Sequence, residues 1–108
     1  MLPVFIDRPK FTALPLPGTG VAVQGNTIIG YNPRRTGLLL FNNGTGNVYL
    51  SRNQYMTNNG TILPPGAALN FLQAQAPVNA LFALGDAGHD LRVTETVLMT
   101  ADTVQPGA

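Results

Sequence analysis

The clearest periodicity in the chain lies near its end, where Leu91, Val93, Glu95, Val97 and Met99 alternate with Arg92, Thr94, Thr96, Leu98 and Thr100. A period of two puts successive side chains on opposite faces, which marks a strand with one buried side. Glu95 interrupts the apolar face. A carboxylate there is costly to bury alone, so the pattern predicts a place near an edge or a hydrogen-bonding partner for it. Upstream, short β-prone runs predict further strands at 21–24, 27–31, 37–42, 47–51, 67–72 and 79–84, with the last at 91–100. Between them stand Gly25-Asn26, Asn43-Gly44, Asn59-Gly60, Pro65-Gly66 and Gly85-Asp86, dipeptides that favour turns.

Helix is the weaker reading throughout, because no window of about a dozen residues keeps the i, i+3, i+4, i+7 spacing without a Gly or Pro. The best helical candidate, 67–76, is confined between Pro64-Pro65-Gly66 and Pro77. Residues 1–20 hold Pro3, Pro9, Pro15 and Pro17 among Leu2, Val4, Phe5, Ile6, Phe11, Leu14 and Leu16. Proline fixes φ and removes a donor, so this stretch suits neither a helix nor the middle of a sheet. It reads as an extended apolar arm lying along a surface, either that of its own domain or a neighbour's. The fold expected is all-β: a single antiparallel β-sandwich or jelly-roll domain over 21–100, with an extended Pro-rich N-terminal arm over 1–20 and a loose C-terminal tail over 101–108.

Composition sharpens this picture. At 108 residues the chain holds one core. Charged residues make up 10%, against about 25% in an average soluble domain, and Asn, Gln, Thr, Gly and Pro take their place. A neutral polar surface suits lasting contact with other subunits, where buried charge is costly. It therefore reads as an assembly surface, with a homo-oligomer, dimer or trimer, expected. The basic residues Arg8, Lys10, Arg34, Arg35, Arg52 and Arg92 form no stripe that would follow a phosphate backbone, so nucleic acid is not an expected partner. No apolar run approaches the length of a membrane span, and MLPVFIDRPK lacks the charged-then-apolar order of a signal peptide, so no membrane is expected either.

Candidate chemistry is sparse. With no cysteine, disulfides and thiolate metal sites are excluded. The single histidine meets two carboxylates in GDAGHD, residues 85–90, which could hold a cation through Asp86 and Asp90 or pair His89 with an acid. The simpler reading is a Gly-rich hairpin turn whose Asp side chains satisfy local N–H groups. Phosphate-loop and dinucleotide motifs are missing, and one histidine cannot form a His pair, so the expectation is a non-enzyme without catalytic residues, cofactor or metal. NNGT occurs at 42–45 and 58–61. Each copy contains an N-x-T acceptor, and each is better read as a tight turn. Arg34 and Arg35 follow Asn32-Pro33; they either grip an acidic partner surface or solubilise an exposed strand edge.

The stretch RTGLLLFNNGTGNVYL at 35–50, followed by NGTILPPG at 59–66, resembles a pattern of small structural proteins of tailed bacteriophages. In that pattern an Arg opens a strand ending in Asn, a short turn leads to a Val-Tyr-Leu strand, and a G-x-x-L-x-P-G turn begins the next. The resemblance covers about a quarter of the chain and carries over no catalytic or ligand residue. It implies a β-sandwich or jelly roll on a head, neck or tail, foremost a decoration or cement protein on the capsid surface, made in the host cytoplasm and bound to the major capsid protein or other virion proteins. The contacts expected are Phe5, Ile6, Phe11 and Leu14 on the arm, with Arg34 and Arg35. On that reading, deletion of residues 1–16 abolishes attachment without unfolding the domain. Alternatives are a head-fibre base, connector or tail component and, in another class, a carbohydrate-binding β-sandwich using Tyr31, Tyr49 or Tyr55.

Overall fold

The computed structural model describes residues 2–8, 10–18, 21–57, 60–72 and 78–99; the tail at 101–108 lies outside them. Among the described residues all regular structure is strand: β1 (Leu2–Asp7), β2 (Val23–Gln24), β3 (Asn26–Ile29), β4 (Arg35–Asn42), β5 (Val48–Ser51), β6 (Tyr55–Met56), β7 (Thr61–Leu63), β8 (Ala68–Leu72), β9 (Leu81–Gly85) and β10 (Leu91–Met99). A front sheet has the order β1-β10-β4-β8, and a back sheet the order β3-β9-β5-β7. Every pairing in both is antiparallel.

Setting β2 and β6 aside, the pairing is nested: β1 with β10, β3 with β9, β4 with β8 and β5 with β7. One long antiparallel ribbon has been rolled so that alternate pairs fall in opposite sheets, which is the jelly-roll arrangement. The central strand β4 shows why the sequence accepts it. Leu38 and Leu40 are buried between the sheets, whereas Leu39 faces outward and is exposed. Val48, Leu50, Leu63, Leu81, Ala83, Leu91 and Val93 complete the core from the remaining strands. The small β2–β6 pair lies over the outer face of the back sheet, where Met56 joins buried Tyr49 and Leu84, with Val23 and Phe82 packed against them.

The proline-rich N-terminal stretch is extended and lies on the chain's own body. β1 pairs with β10 along its whole length, from Leu2↔Met99 to Asp7↔Thr94. Arg8 N–H then donates to Val93 O at 2.9 Å, and Phe11 and Leu91 exchange backbone bonds at 2.8 and 2.9 Å. Leu14 is 5% exposed within the core, and Gly85 N–H donates to Pro15 O at 2.9 Å in the back sheet. Proline is tolerated because β1 is an edge strand, where an absent N–H need not break a ladder. The expectation that residues 1–16 can be removed from an intact domain is therefore corrected: these residues supply the first strand of the roll and part of its core.

At the end of the roll away from Arg35, two Gly-rich loops meet backbone to backbone. Thr45 N–H donates to Gly88 O at 2.9 Å, and Asn43 N–H to Asp90 O at 2.8 Å. A Cβ at Gly44 would collide with the Gly88 carbonyl, and Gly88 itself has φ +88°. Asn42, read from sequence as a turn residue, is instead the buried hub of this end. Its Nδ2 donates to Gly46 O at 2.7 Å and Leu63 O at 2.9 Å, and its Oδ1 accepts from Gly44 N–H at 3.1 Å. The second NNGT copy begins outside the described residues.

A chain lacking residues 1–16 loses the β10 pairing, the Leu14 packing and the Arg8 ion pair described below. Its expected behaviour is loss of cooperative urea unfolding and of near-UV circular dichroism, whereas the full chain unfolds in one transition.

Candidate functional site

Glu95 is fully buried on the inner face of β10. Arg35, which opens β4, donates from Nε to Glu95 Oε2 at 2.6 Å, and Arg8, just past β1, donates from Nη2 to Oε1 at 2.6 Å. Asn32 Nδ2 stands 3.5 Å from Oε2. The Arg35 guanidinium also reaches the Asn79 carbonyl at 3.2 Å and the Gly30 carbonyl. Burial alone would push the Glu95 carboxyl up, but the hydrogen bonds from Arg8 and Arg35, together with their charges, outweigh it and hold the group below its ordinary value. The sequence predicted an edge position or a partner for Glu95; β10 is an inner strand, and the partners are two arginines with Asn32. The arrangement is closed, with both carboxylate oxygens engaged, and offers no vacant acid or base.

His89 is likewise engaged. Its Nε2 accepts from Leu14 N–H at 2.8 Å, and Nδ1 lies 2.6 Å from Asp86 O. An acceptor role at Nε2 and a carbonyl facing Nδ1 assign the proton to Nδ1 in a neutral ring. The ring lies so close over Gly85 that any Cβ there would collide with it. The GDAGHD segment is a turn, but not the hairpin turn that the simpler reading expected: it crosses from β9 of the back sheet to β10 of the front sheet, and its carboxylates bond side chains. Asp86 Oδ2 accepts from the Tyr49 hydroxyl at 2.8 Å, which pushes the phenol up, and Asp90 pairs with Arg92 at 3.1 Å. Among the described residues no three His, Cys, Asp or Glu side chains are grouped as a metal would need.

The surface carries the remaining candidates. Across the front sheet, Phe5, Thr96 and Gly37 stand in one row, and Asp7, Thr94, Leu39 and Asn70 in the next, on the outer face. Phe5 is 73% exposed and Leu39 37%. A depression of about 240 Å³ lies among them, with Gly37 at a point where a Cβ would come within 3.0 Å of Thr96. A neighbouring depression is lined by Asp7, Arg8, Lys10 and Arg92, so charge is gathered beside the apolar rows. Apolar and charged side chains thus stand side by side on this part of the surface.

The six residues expected from sequence are not brought together. Phe5 projects outward, whereas Ile6 shares the inner face with its register partner Glu95 and is half-buried. Phe11 packs against the core and Leu14 lies in it. Arg34 is exposed beside Asn32, whose Oδ1 accepts its N–H at 2.9 Å. Arg35 is 3% exposed, so it neither grips a partner nor solubilises an edge. Sequence reasoning missed Leu39 as a surface residue. The Leu38-Leu39-Leu40-Phe41 run hid it, yet alternation through that run puts apolar side chains on both faces of β4.

No protein-family model matches the chain, and no curated protein or solved structure matches it.

Because the Glu95 value is depressed in the folded chain, its contribution to stability is present above the ordinary carboxylate range, near pH 4.5, and is lost as pH falls through the lower folded value. The urea midpoint of the wild type should drop over that acid interval. Glu95→Gln should cost about 3 kcal/mol at neutral pH by leaving Arg35 buried without its counter-charge, and should flatten the acid dependence. Chemical denaturation across pH checks both.

Proposed function

We propose that the chain is a non-enzymatic structural protein of a virion, acting as a capsid decoration or cement protein that holds to the major capsid protein. The observation that carries this reading is the outer face of the front sheet, where exposed Phe5 and Leu39 flank an uncharged depression in a chain with 10% charged residues. The inward engagement of Glu95, Arg35 and His89 supports a role through surfaces in place of catalysis. A jelly roll agrees with it, since that architecture recurs in viral capsid domains, although it also recurs in lectins and cupins. Attachment would draw on apolar burial at about 25 cal/mol per Å², less the cost of association. The contact set moves accordingly from the N-terminal segment as a whole to Phe5 and Leu39.

Exposed Tyr31 and Tyr55 favour a second reading, a carbohydrate-binding module. Beside Tyr55, a depression of about 260 Å³ is lined by Ser51, Asn53 and Thr57.

Quantitative mass spectrometry of purified particles should find the chain near the copy number of the major capsid protein. A ratio of a few per cent moves it to a neck, tail or vertex fibre, and complete absence overturns the virion reading. Phe5→Asp with Leu39→Asp should lower capsid occupancy at least about tenfold while leaving the melting temperature nearly unchanged; unchanged occupancy would reject this face.

A further inference from the structure

Among the described residues β8 ends the front sheet, with no neighbouring strand on one side of its backbone. Asn42 N–H donates to Ala67 O at 3.0 Å, and the register continues as Leu40↔Leu69 and Leu38↔Phe71. In an antiparallel ladder, alternate residues turn both backbone groups to the same neighbour. Leu69 and Phe71 therefore face β4, and Ala68, Asn70 and Leu72 direct their N–H and C=O groups outward.

The other edges of the two four-stranded sheets are guarded. Arg8 bonds Val93, so alternation turns Pro3, Phe5 and Asp7 of β1 outward, and that edge offers a missing N–H and a carboxylate residue. β3 is broken by a register shift between Thr27 and Ile29, and the short β7 runs into Pro64-Pro65. Prolines, charges and irregularities of this kind keep edges from pairing. β8 contains none of them, and from residue 53 to residue 85 the sequence has no charged side chain. Beside it the sandwich opens in a cleft of about 170 Å³, lined by Leu40, Leu50, Leu69, Phe71 and Leu81, with Arg52 as its charged member.

We propose that β8 is a self-association edge, on which a second copy pairs its own β8 antiparallel about a twofold axis at Asn70. An isologous contact sets an edge against a copy of itself, so a charged edge would repel its partner and a neutral one does not. Centring on Asn70 places Asn70 opposite Asn70 and Ala68 opposite Leu72, so every outward group of these three residues finds a partner. Leu69 then falls opposite Phe71 at the closer, non-bonded positions. Both lie on the inner face at the cleft, so each copy's pair covers the other's opening. The two front sheets become one continuous sheet. The inference goes beyond the proposed virion role and does not depend on it.

Sedimentation equilibrium of the full chain at micromolar concentrations tests this. The wild type should be a dimer. Asn70→Pro should be a monomer with an unchanged circular dichroism spectrum, since the Asn70 N–H is not used by β4 and its side chain is exposed. Should that variant fail to fold, the charge pair decides. Asn70→Asp and Asn70→Lys should each weaken dimerisation on the order of fivefold, and mixing the two should restore a heterodimer. A monomeric wild type would overturn the proposal, as would a dimer indifferent to both charges.

Discussion

A buried carboxylate sets the frame of this protein. Glu95 stands on the inner face of the last strand, and with no counter-charge it would oppose folding by several kcal/mol. Arg35 and Arg8 meet it from the strands on either side of β10, so the charge is satisfied only when β1, β10 and β4 lie side by side. Arg35 also reaches carbonyls of Gly30 and Asn79, next to strands of the back sheet. The cluster thus ties the first strand, the last strand and both layers at one end of the roll. Asn42 links the two layers at the other end through neutral hydrogen bonds, from β4 to Leu63 of β7. Both hubs are the terminal residues of the central strand β4, and the apolar core lies between them.

This division of labour shapes what the molecule can do. Two ionisable side chains are turned inward to register strands: Glu95 between two arginines, His89 between Leu14 and Asp86. The surface of the chain is uneven. Charge gathers along β1 and β10, at Asp7, Lys10, Arg92 and Asp90, whereas β6 to β9 carry none. Apolar residues on the outer face of β4 and the unguarded edge of β8 lie toward the uncharged side of the front sheet.

Local chemistry made much of this legible in the sequence. The alternation over Leu91–Met99 identified β10, its buried face and the need for a Glu95 partner. Turn dipeptides separated most strands, and Gly66, after Pro65, takes a positive φ of +78°. The identity of the partners was not legible, because Arg8 lies 87 residues from Glu95 and Arg35 lies 60 away, and no period links them. β1 was hidden by its own Pro3 and by the prolines that follow it, which exclude the centre of a sheet but not its edge. β6 and β7 are too short to show a pattern. Asn42 looked like any turn former; its burial comes from the loop at 86–90 packing over it, a contact between distant segments. The rolled pairing was likewise invisible, since periodicity reports which face a strand buries and not which strand lies beside it.

Closure of the roll by its first strand is the claim on which the rest depends, and amide hydrogen exchange resolved by residue tests it most directly. Pairing with β10 predicts slow exchange at Val4, Ile6 and Arg8, with protection comparable to the amides at the centre of β10, and fast exchange at Phe5 and Asp7 between them. Uniformly fast exchange from Val4 to Arg8, with β10 still protected through its β4 pairing, would show that the N-terminal segment stands off the body and would contradict the account.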